Sequence, residues 1–591
     1  MTANLKESPE RSFLDVVLER IPPVLGYLML LFPIFGSFYF PNIVGVYLII
    51  IFVYFFYKSF TTSIQFAIGL WKIREDSGIN WDEVLEGFEN PVSEITKLQK
   101  QLDLIKRASF ATFNREDLKD GVDDLAVELK YSKKTRLPKF YKKILFFFEK
   151  RKSIKYLKKR IKNLKKSDHA NNIKPSEIQH ILILPFVTEP IDLLQSSIDK
   201  LMNQSFNTKQ INIVLAAEAG IEGCYEVGLE LKKRNEKYFN NIWVTNHKLE
   251  YPDAIGKSAN MNYASREVYK HVKELGWDLK KTTITSCDAD SKIDPQYFAN
   301  VTYRFITDKN SEYKIYVGAL VFYNNIWRLP FYARVKNSFS SIYNVSKLIR
   351  SDRLIPVSTY TTSFWMIKSI DFWTPWITPE DYHIFFKALF TFDKHVSAVP
   401  IYLITMSDSA EGNGHIDTIM NNYKQSRRWA WGISDNGWML KEFFRNFFKH
   451  SLRTKYKVMH AIFDHITGPN IAILILVGGH LPGILNPTFA NEVTGTMLPA
   501  ITSFIVKITF IFLVAIIFLD FYLKPRPDVY PWWKRIARVL EWFIQPLVGF
   551  FLAALPGIES QTRLMFGQYM EYYVTAKKDD KGNEAKKDTR V

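Results

Sequence analysis

The chain has 591 residues, of which 47% are hydrophobic, and its formal net charge is +18 at pH 7. This length allows two or more domains, so a polar catalytic unit and an apolar membrane unit can occur together. A strongly basic chain is typical of proteins that bind nucleic acid or the anionic face of a bilayer, and the apolar segments favour the bilayer. The two cysteines, Cys224 and Cys287, lack the neighbours that a zinc site needs and indicate a reduced, cytosolic catalytic domain.

Residues 1–59 contain two apolar runs, 24–40 and 43–57, separated by Pro41 and Asn42. Each run is near the lower limit of roughly 17–25 residues for a spanning helix, and the pair predicts a transmembrane hairpin that returns the chain to the cytoplasm. The alternatives are one long kinked helix and a buried hydrophobic hairpin. Acidic residues near the N-terminus do not fit a signal peptide, so the first run is expected to be retained. These residues are Glu7, Glu10, Asp15 and Glu19.

Residues 60–175 are predicted to form a basic, mainly helical cytosolic insertion. Within the basic stretch 133–166, apolar residues recur at helical spacing. They are Ile154, Leu157, Ile161 and Leu164. The pattern fits equally a helix lying on anionic lipid and a solvated basic helix. Because no nucleic-acid recognition motif accompanies the charge, no nucleic-acid partner is predicted.

Residues 176–435 contain short β-rich runs that alternate with helical stretches. The runs are 181–184, 211–216, 242–245 and 282–286. The alternation predicts an α/β domain with a largely parallel sheet. Such sheets bind ligands beyond the carboxyl ends of their strands, and polar residues follow three of the runs. These residues are Thr188, Glu189, Glu218, Asp288 and Asp290.

Residues 436–575 are predicted to form interfacial and transmembrane helices, with the clearest spans at 458–485 and 497–523. The last apolar segment, 539–555, is interrupted by Pro546 and Gly549 and is either spanning or re-entrant. Basic residues before it place the intervening loop in the cytoplasm, so both termini would be cytoplasmic. These basic residues are Lys524, Arg526, Lys534 and Arg535. Residues 576–591 are predicted to be a disordered tail.

Two amphipathic stretches accompany these segments. The first predicts a helix lying in the membrane plane. Its apolar face is Leu440, Phe443, Phe444, Phe447 and Phe448. The second fits either an interfacial helix or a helix of the domain core. Its stripe is Val335, Phe339, Ile342, Val345 and Ile349.

Asp288 and Asp290, in the sequence CDADS, flank one residue at the end of an apolar strand. Two carboxylates at such a position can share a hard divalent cation that also binds phosphate oxygens. Aspartates are also frequent in turns and caps, which is the alternative for this pair.

Glu380 and Asp381, in the sequence PED, precede an apolar helical stretch. Asp381 is the candidate general base, because a carboxylate there can face a pocket from a helix N-terminus. The alternative, which is compatible with this role, is helix capping with Thr378 as the N-cap residue.

Gln425, Arg428 and Trp429, in the sequence QSRRW, join an amide, a guanidinium and an indole in about one helical turn. Arg428 can bind a diphosphate through its planar fork, and Trp429 can offer a flat face to a sugar ring. The alternative is an interfacial helix that uses Arg and Trp as membrane anchors.

The order of these three motifs, followed by apolar segments, resembles the membrane-bound family 2 glycosyltransferases, the group that includes cellulose, chitin and hyaluronan synthases. The resemblance covers about residues 180–435 and the membrane helices after them. It implies a GT-A, Rossmann-like α/β nucleotide-sugar transferase domain with an α-helical transmembrane domain. It also implies inversion at the anomeric carbon and Mg²⁺ or Mn²⁺ as cofactor.

The resemblance implies a role for each matching residue. Asp288 and Asp290 match the DxD that holds metal and diphosphate. Asp381, with Glu380, matches the acidic pair that supplies the catalytic base, although Pro379 separates the pair from Thr378. The family's QxxRW matches Gln425 and Arg428, for the diphosphate, and Trp429, for the acceptor.

Three earlier segments extend the resemblance toward the donor. ILPFVTEP implies that Thr188 and Glu189 lie near the nucleotide base, and GKSANMN implies that Lys257 contacts phosphate. LAAEAG ends where the family usually has an aspartate that contacts uracil, and this chain has Glu218 there. This difference leaves the choice between UDP and GDP open, although UDP is favoured.

The sequence therefore predicts an inverting, metal-dependent membrane glycosyltransferase, with a processive polysaccharide synthase favoured. The alternatives are a transferase that adds one sugar to a lipid or lipid-linked acceptor, and a non-catalytic membrane scaffold. The expected partners are a nucleotide-sugar donor, a glycan or lipid acceptor, membrane lipids, and partner subunits or a second copy of the chain. The expected location is the plasma membrane, with several spans and a cytoplasmic catalytic domain.

Overall fold

The computed structural model describes residues 12–108, 139–170, 173–525 and 532–570. Glu7, Glu10, Arg526 and the predicted tail lie outside the described residues. The chain divides into two compact units. The larger comprises the described residues up to Ile79, Gln179–Phe298 and those from Glu312 onward, and the smaller comprises Asn80–Ile178 and Ala299–Ser311.

The strands of the described residues, numbered along the chain, are β1 (Gln179–Pro185), β2 (Ile211–Glu218), β3 (Ile242–His247), β4 (Thr282–Ser286), β5 (Lys292–Ile293), β6 (Lys314–Val321), β7 (Tyr360–Ser363) and β8 (Ser397–Met406). Their α-helices are α1 (Phe13–Tyr39), α2 (Pro41–Asp76), α3 (Trp81–Glu89), α4 (Pro91–Arg107), α5 (Lys139–Ala170), α6 (Ile191–Met202), α7 (Cys224–Asn235), α8 (Lys257–Glu274), α9 (Tyr297–Thr307), α10 (Phe331–Lys347), α11 (Phe364–Ser369), α12 (Glu380–Phe392), α13 (His415–Ala430), α14 (Asn436–Arg445), α15 (Leu452–Val477), α16 (Leu481–Leu485), α17 (Pro487–Asn491), α18 (Val493–Leu523), α19 (Trp532–Leu540), α20 (Gln545–Gly549) and α21 (Leu555–Met565).

The N-terminal apolar runs form two helices that separate at Phe40 and pack on each other, rather than one long kinked helix. Ser12 and Asp15 close a capping box at the start of α1, and Pro41 opens α2, where its missing N–H is not needed. Helix α2 continues to Asp76, so the domain boundary predicted at residue 59 falls inside a helix.

Five stretches of the described chain are long and apolar enough to cross a membrane: α1, α2, α15, α18 and Trp532–Met565. The last stretch contains α19, α20 and α21, joined by 3-10 and π turns. These turns accommodate Pro546 without ending the helical path. The segment predicted as either spanning or re-entrant is therefore part of a 34-residue stretch. Helix α15 ends at Val477, earlier than the predicted span.

The α/β part of the larger unit is built on one eight-stranded sheet with the order β3-β2-β1-β4-β7-β6-β8-β5. All four predicted strands form, and they are parallel neighbours. Strand β7 runs antiparallel to both β4 and β6, so the sheet is mixed rather than largely parallel. The central strand β1 is apolar and buried from His180 to Leu184, as expected for a strand covered on both faces.

Helix α10 packs between β6 and the membrane-type helix α2. Three residues of its stripe, Val335, Ile342 and Val345, are buried, so this stripe belongs to the core and is not interfacial. A Cβ atom on Gly69 of α2 would lie 2.8 Å from Val345 Cγ1. The close approach joins the α/β domain to an apolar helix within one packed unit.

Helix α14 ends at Arg445, so Phe447 and Phe448 of the predicted in-plane face lie beyond the end of the helix. Leu440 and Phe443 are buried in protein, whereas Phe444 and Phe448 are exposed. The buried side of α14 packs against α1, where Gly437 touches the backbone of Glu19.

Substituting Gly437 with Ala is expected to destabilise this α1–α14 contact. The new Cβ atom would lie 2.7 Å from Glu19 Cα and 2.8 Å from Glu19 N, and backbone atoms cannot move aside cheaply. We expect a loss of about 1–3 kcal/mol, seen as a lower thermal unfolding midpoint in detergent. The matched control is Gly468→Ala, because nothing lies within 4 Å of its added Cβ. Equal midpoints for the two variants would contradict the prediction.

The smaller unit contains α3, α4 and α5, together with Ala299–Ser311. Leu157, Ile161 and Leu164 of α5 are buried, and α5 packs on α4. Arg160 reinforces this contact by pairing with Glu94 at 2.7 Å. The apolar stripe of α5 is thus covered by protein rather than by lipid, whereas lysines such as Lys155, Lys158 and Lys162 are exposed, as in a solvated basic helix.

Candidate functional site

A cavity of about 500 Å³ lies beyond the carboxyl ends of β1, β2 and β4. Its lining includes predicted site residues from six separate parts of the sequence. Of the predicted site residues, its lining contains Glu189, Glu218, Lys257, Asp288, Asp290, Glu380, Asp381, Gln425, Arg428 and Trp429. Thr188 is not among the lining residues.

Lys257 connects two of the predicted acidic motifs at the first residue of α8. Its Nζ atom lies 2.6 Å from Asp288 Oδ1 and 3.0 Å from Glu380 Oε1. Burial lowers the pKa of Lys257, but the two carboxylates outweigh it and raise the pKa well above its usual value. A cation is therefore fixed between the DxD and the PED segment.

Ser358 lies between the same motifs and was not identified from the sequence. Its hydroxyl donates to Asp288 Oδ2 at 2.6 Å, and its backbone N–H donates to Asp381 Oδ2 at 3.0 Å. Its φ of 58° places a non-glycine residue in the left-handed region, which costs of order 1–3 kcal/mol. Only the backbone conformation marks this serine as special, so no sequence signal could have found it.

Asp381 follows the first residue of α12 and accepts a second hydrogen bond from Tyr382 N at 2.8 Å. Burial, followed by the charge of Glu380, raises the pKa of Asp381 to about 7. The capping alternative is wrong, because the N-cap residue is Pro379 and no side chain caps the helix. A carboxylate with such a pKa is suited to general-base catalysis near neutral pH.

Asp290 is buried, whereas the side chain of Asp288 keeps 33% of its surface exposed toward the cavity. Asp290 Oδ2 accepts from the backbone N–H of Asp408, a lining residue that the sequence reasoning missed. Within the described ranges, no three His, Cys, Asp or Glu side chains are grouped to hold a metal ion. Mg²⁺ often uses only one or two carboxylates and takes its other ligands from water and substrate phosphate, and the Asp288–Asp290 pair fits that mode.

Helix α13 presents Gln425, Arg428 and Trp429 to the cavity. Gln425 Oε1 accepts from Lys336 Nζ at 2.8 Å, and the same Nζ lies 4.5 Å from the centroid of the Trp429 ring. Phe322 contacts Trp429 at a centroid distance of 5.2 Å. The Trp429 ring is thus supported by protein while 40% of its surface stays exposed.

Two apolar stretches contact this part of the site. Glu559 of α21 accepts from Arg427 at 2.6 Å and from the Tyr423 hydroxyl at 2.9 Å, which fixes α13. His465 of α15 lines the cavity itself. Trp431, two residues after Trp429, is only 3% exposed and packs in protein, so it is not a membrane anchor.

Glu218 lines the cavity at the carboxyl end of β2, beside His247 at the end of β3. His247 lies between it and Asp253, with Nδ1 3.8 Å from Glu218 Oε1 and Nε2 3.1 Å from Asp253 Oδ2. Burial lowers the pKa of His247, but these carboxylates outweigh burial and raise it. Glu189 uses Oε2 to accept the backbone N–H groups of Val187 and Thr188, so it shapes its own loop.

No protein-family model matches the chain, and no curated protein matches it. Similar solved structures include mannosyltransferase PcManGT from Pyrobaculum calidifontis in complex with GDP-Man and Mn²⁺. That match has 13% identity and a TM-score of 0.35, over 57% of this chain and 88% of the other. S. aureus TarS 1-349 in complex with UDP-GlcNAc matches at 13% identity with a TM-score of 0.28, over 55% and 91% of the two chains. Because these TM-scores are low, the function has to be inferred from the site itself.

Proposed function

We propose that the protein is a membrane glycosyltransferase with a GT-A-type domain that uses a nucleotide sugar, with UDP favoured over GDP. The observation that carries the proposal is the convergence of the three motifs on one cavity, although they are spread from Asp288 to Trp429. A non-catalytic scaffold gives no reason for a general-base candidate, two aspartates and a guanidinium to line the same space.

In the proposed reaction, Asp381 accepts the proton of the acceptor hydroxyl, whose oxygen forms the new bond to the anomeric carbon. The bond from that carbon to the diphosphate oxygen breaks on the opposite face, which gives inversion. Arg428 stabilises the negative charge of the departing diphosphate. Asp288 and Asp290 would hold Mg²⁺ or Mn²⁺, which supplies Lewis-acid stabilisation of the same charge when bound.

We further propose that Trp429 binds the acceptor sugar and that Gln425 assists at the diphosphate. Glu218 and Glu189 would lie toward the nucleotide base, Thr188 in the adjacent loop, and Lys257 near the phosphates. Glu380 would act with Asp381 through its charge. These assignments follow the elements that carry the residues, since Glu218 ends β2 and Trp429 lies on α13.

The membrane setting is supported by the five apolar stretches and by His465 of α15 in the cavity wall. We propose a multi-pass protein of the plasma membrane whose catalytic domain is cytoplasmic, and favour a processive polysaccharide synthase. A single addition to a lipid acceptor is the second candidate, because His465 of a helix long enough to cross a membrane lines the same cavity as Trp429.

Nucleotide release by the purified full chain in detergent tests the proposal. UDP- and GDP-sugars are supplied one at a time, with Mg²⁺, with Mn²⁺ or with a chelator, and with lipid acceptors present. We expect release from one donor only, and loss of release in the chelator. A polymer ladder would identify a synthase, and one defined glycolipid would identify a single-addition enzyme. No release from any donor would refute the proposal.

A further inference from the structure

Lys336 lies beneath the α13 face of the cavity and belongs to none of the predicted motifs. Its side chain is on α10 and only 6% of the residue is exposed. The ammonium group makes two contacts, a hydrogen bond to Gln425 and a cation–π contact with Trp429. A buried lysine therefore touches two of the three residues proposed to bind diphosphate and acceptor.

No carboxylate of the described chain forms an ion pair with Lys336, which is unusual for a buried cation. On α10 its polar neighbours are Asn337 and Ser340, and on α13 the charged group that faces it is Arg428. Several charged groups on other elements packed against α10 form ion pairs with other partners. These pairs are Glu541 with Arg334, Asp520 with Lys524, and Lys58 with Asp464.

The charge of Lys336 is therefore sensitive to what lies beside Arg428. Burial, followed by the Arg428 charge, lowers the pKa of Lys336 to about 7. An anion bound to Arg428 would offset that repulsion and favour the protonated lysine. Protonation in turn strengthens the cation–π contact beneath Trp429, because only the ammonium is attracted to the ring face.

We propose that Lys336 is a positioning residue that couples diphosphate binding at Arg428 to the position of Trp429, the residue proposed to bind the acceptor sugar. Lys336 takes up a proton when a nucleoside diphosphate binds beside Arg428, and it then holds Gln425 and the Trp429 ring from below. This inference rests on the proposed function. Donor binding then has a second effect, because it also fixes the Trp429 ring that receives the acceptor sugar.

Binding of UDP and of GDP to the full chain, with Mg²⁺ and between pH 6.5 and 8.5, tests the inference by calorimetry. Heats in buffers of different ionisation enthalpy give the number of protons taken up. The wild type is expected to take up protons above pH 7 and to bind about tenfold more tightly at low pH, which corresponds to a tenfold change in the proton affinity of the lysine. The Lys336→Met variant should lose both this proton uptake and the tenfold dependence of affinity on pH.

Burial and Glu380 also raise the pKa of Asp381 to about 7, so only the difference in proton uptake between the two proteins is assigned to Lys336. Lys336→Arg should keep the low-pH affinity without proton uptake, since arginine stays charged. Lys387→Met is the matched control, because Lys387 also has a pKa lowered by burial, to about 8, but donates to Phe372 O at 2.9 Å.

The same proton uptake in wild type and Lys336→Met would overturn the inference while leaving the proposed function standing. Failure of the wild type to bind either nucleotide would overturn both. If neither Lys336 variant folds, the inference is tested by comparing proton uptake in the wild type and in Asp381→Asn. Proton uptake above pH 7 that persists in Asp381→Asn supports the coupling, and absence of proton uptake from either protein refutes the coupling.

Discussion

Replacing Asp381 with Asn should lower the turnover number by about 10²–10⁴-fold, the range expected for loss of a general base. The amide has nearly the same shape as the carboxylate but cannot accept the acceptor proton. Nucleotide affinity should be kept within a few-fold, because Lys257, Arg428 and the two DxD aspartates are unchanged. Turnover and nucleotide binding, measured on the same preparation, separate loss of chemistry from loss of fold.

The pH profile of the wild type gives an independent check on this role. Because burial and Glu380 raise the pKa of Asp381 to about 7, the base is protonated and inactive below that pH. The turnover number should therefore rise as pH increases through about 7. An Asp381→Asn variant with wild-type turnover would exclude Asp381 as the base, and a rise centred near pH 4 would show that the pKa of the base is not raised.

Replacing Lys257 with Met should destabilise the fold as well as weaken donor binding. The substitution leaves Asp288 and Glu380 facing each other without the ammonium that now contacts both. Breaking a buried pair typically costs 3–5 kcal/mol, and we expect roughly 3 kcal/mol because Asp288 is one-third exposed. The thermal unfolding midpoint in detergent should fall accordingly.

Two comparisons make this result specific. Lys270→Met removes a lysine from an exposed pair with Glu267 and should leave the midpoint nearly unchanged, because exposed ion pairs contribute little to stability. Mg²⁺ should raise the midpoint of Lys257→Met more than that of the wild type, because the exposed carboxylate of Asp288 then lacks its own cation. Equal midpoints for Lys257→Met and Lys270→Met would show that the Asp288–Lys257–Glu380 contacts contribute little.

Much of the α/β domain could be predicted because its strands carry strong local signals. The runs that became β1, β2 and β4 are short and rich in β-branched or aliphatic residues, and a polar residue ends the run or follows it within a few positions. Parallel strands bring their carboxyl ends to one edge, so Glu218 and Asp288 meet without any further information. Strands β5, β6, β7 and β8 were not predicted, and the antiparallel β7, with the sequence YTTS, is too short to give a periodic signal.

The apolar helices could also be predicted in part, because hydropathy shows how long and how apolar a segment is. It does not report what covers a helix face. The stripe at Leu157, Ile161 and Leu164 is covered by α4, and the stripe at Val335 and Ile342 lies in the core. The sequence pattern is the same for lipid and for protein contacts, so only the packing could decide.

The sequence by itself determined the order of the chemical groups: the DxD, the acidic pair and the QxxRW helix, each on an element with a clear local signal. The tertiary structure alone decided which other residues join them. Lys336 reaches Gln425 across 89 residues, and Ser358 reaches Asp288 across 70. Such contacts depend on how α10 and the loop before β7 pack against the sheet, and packing is set by the whole core rather than by nearby sequence.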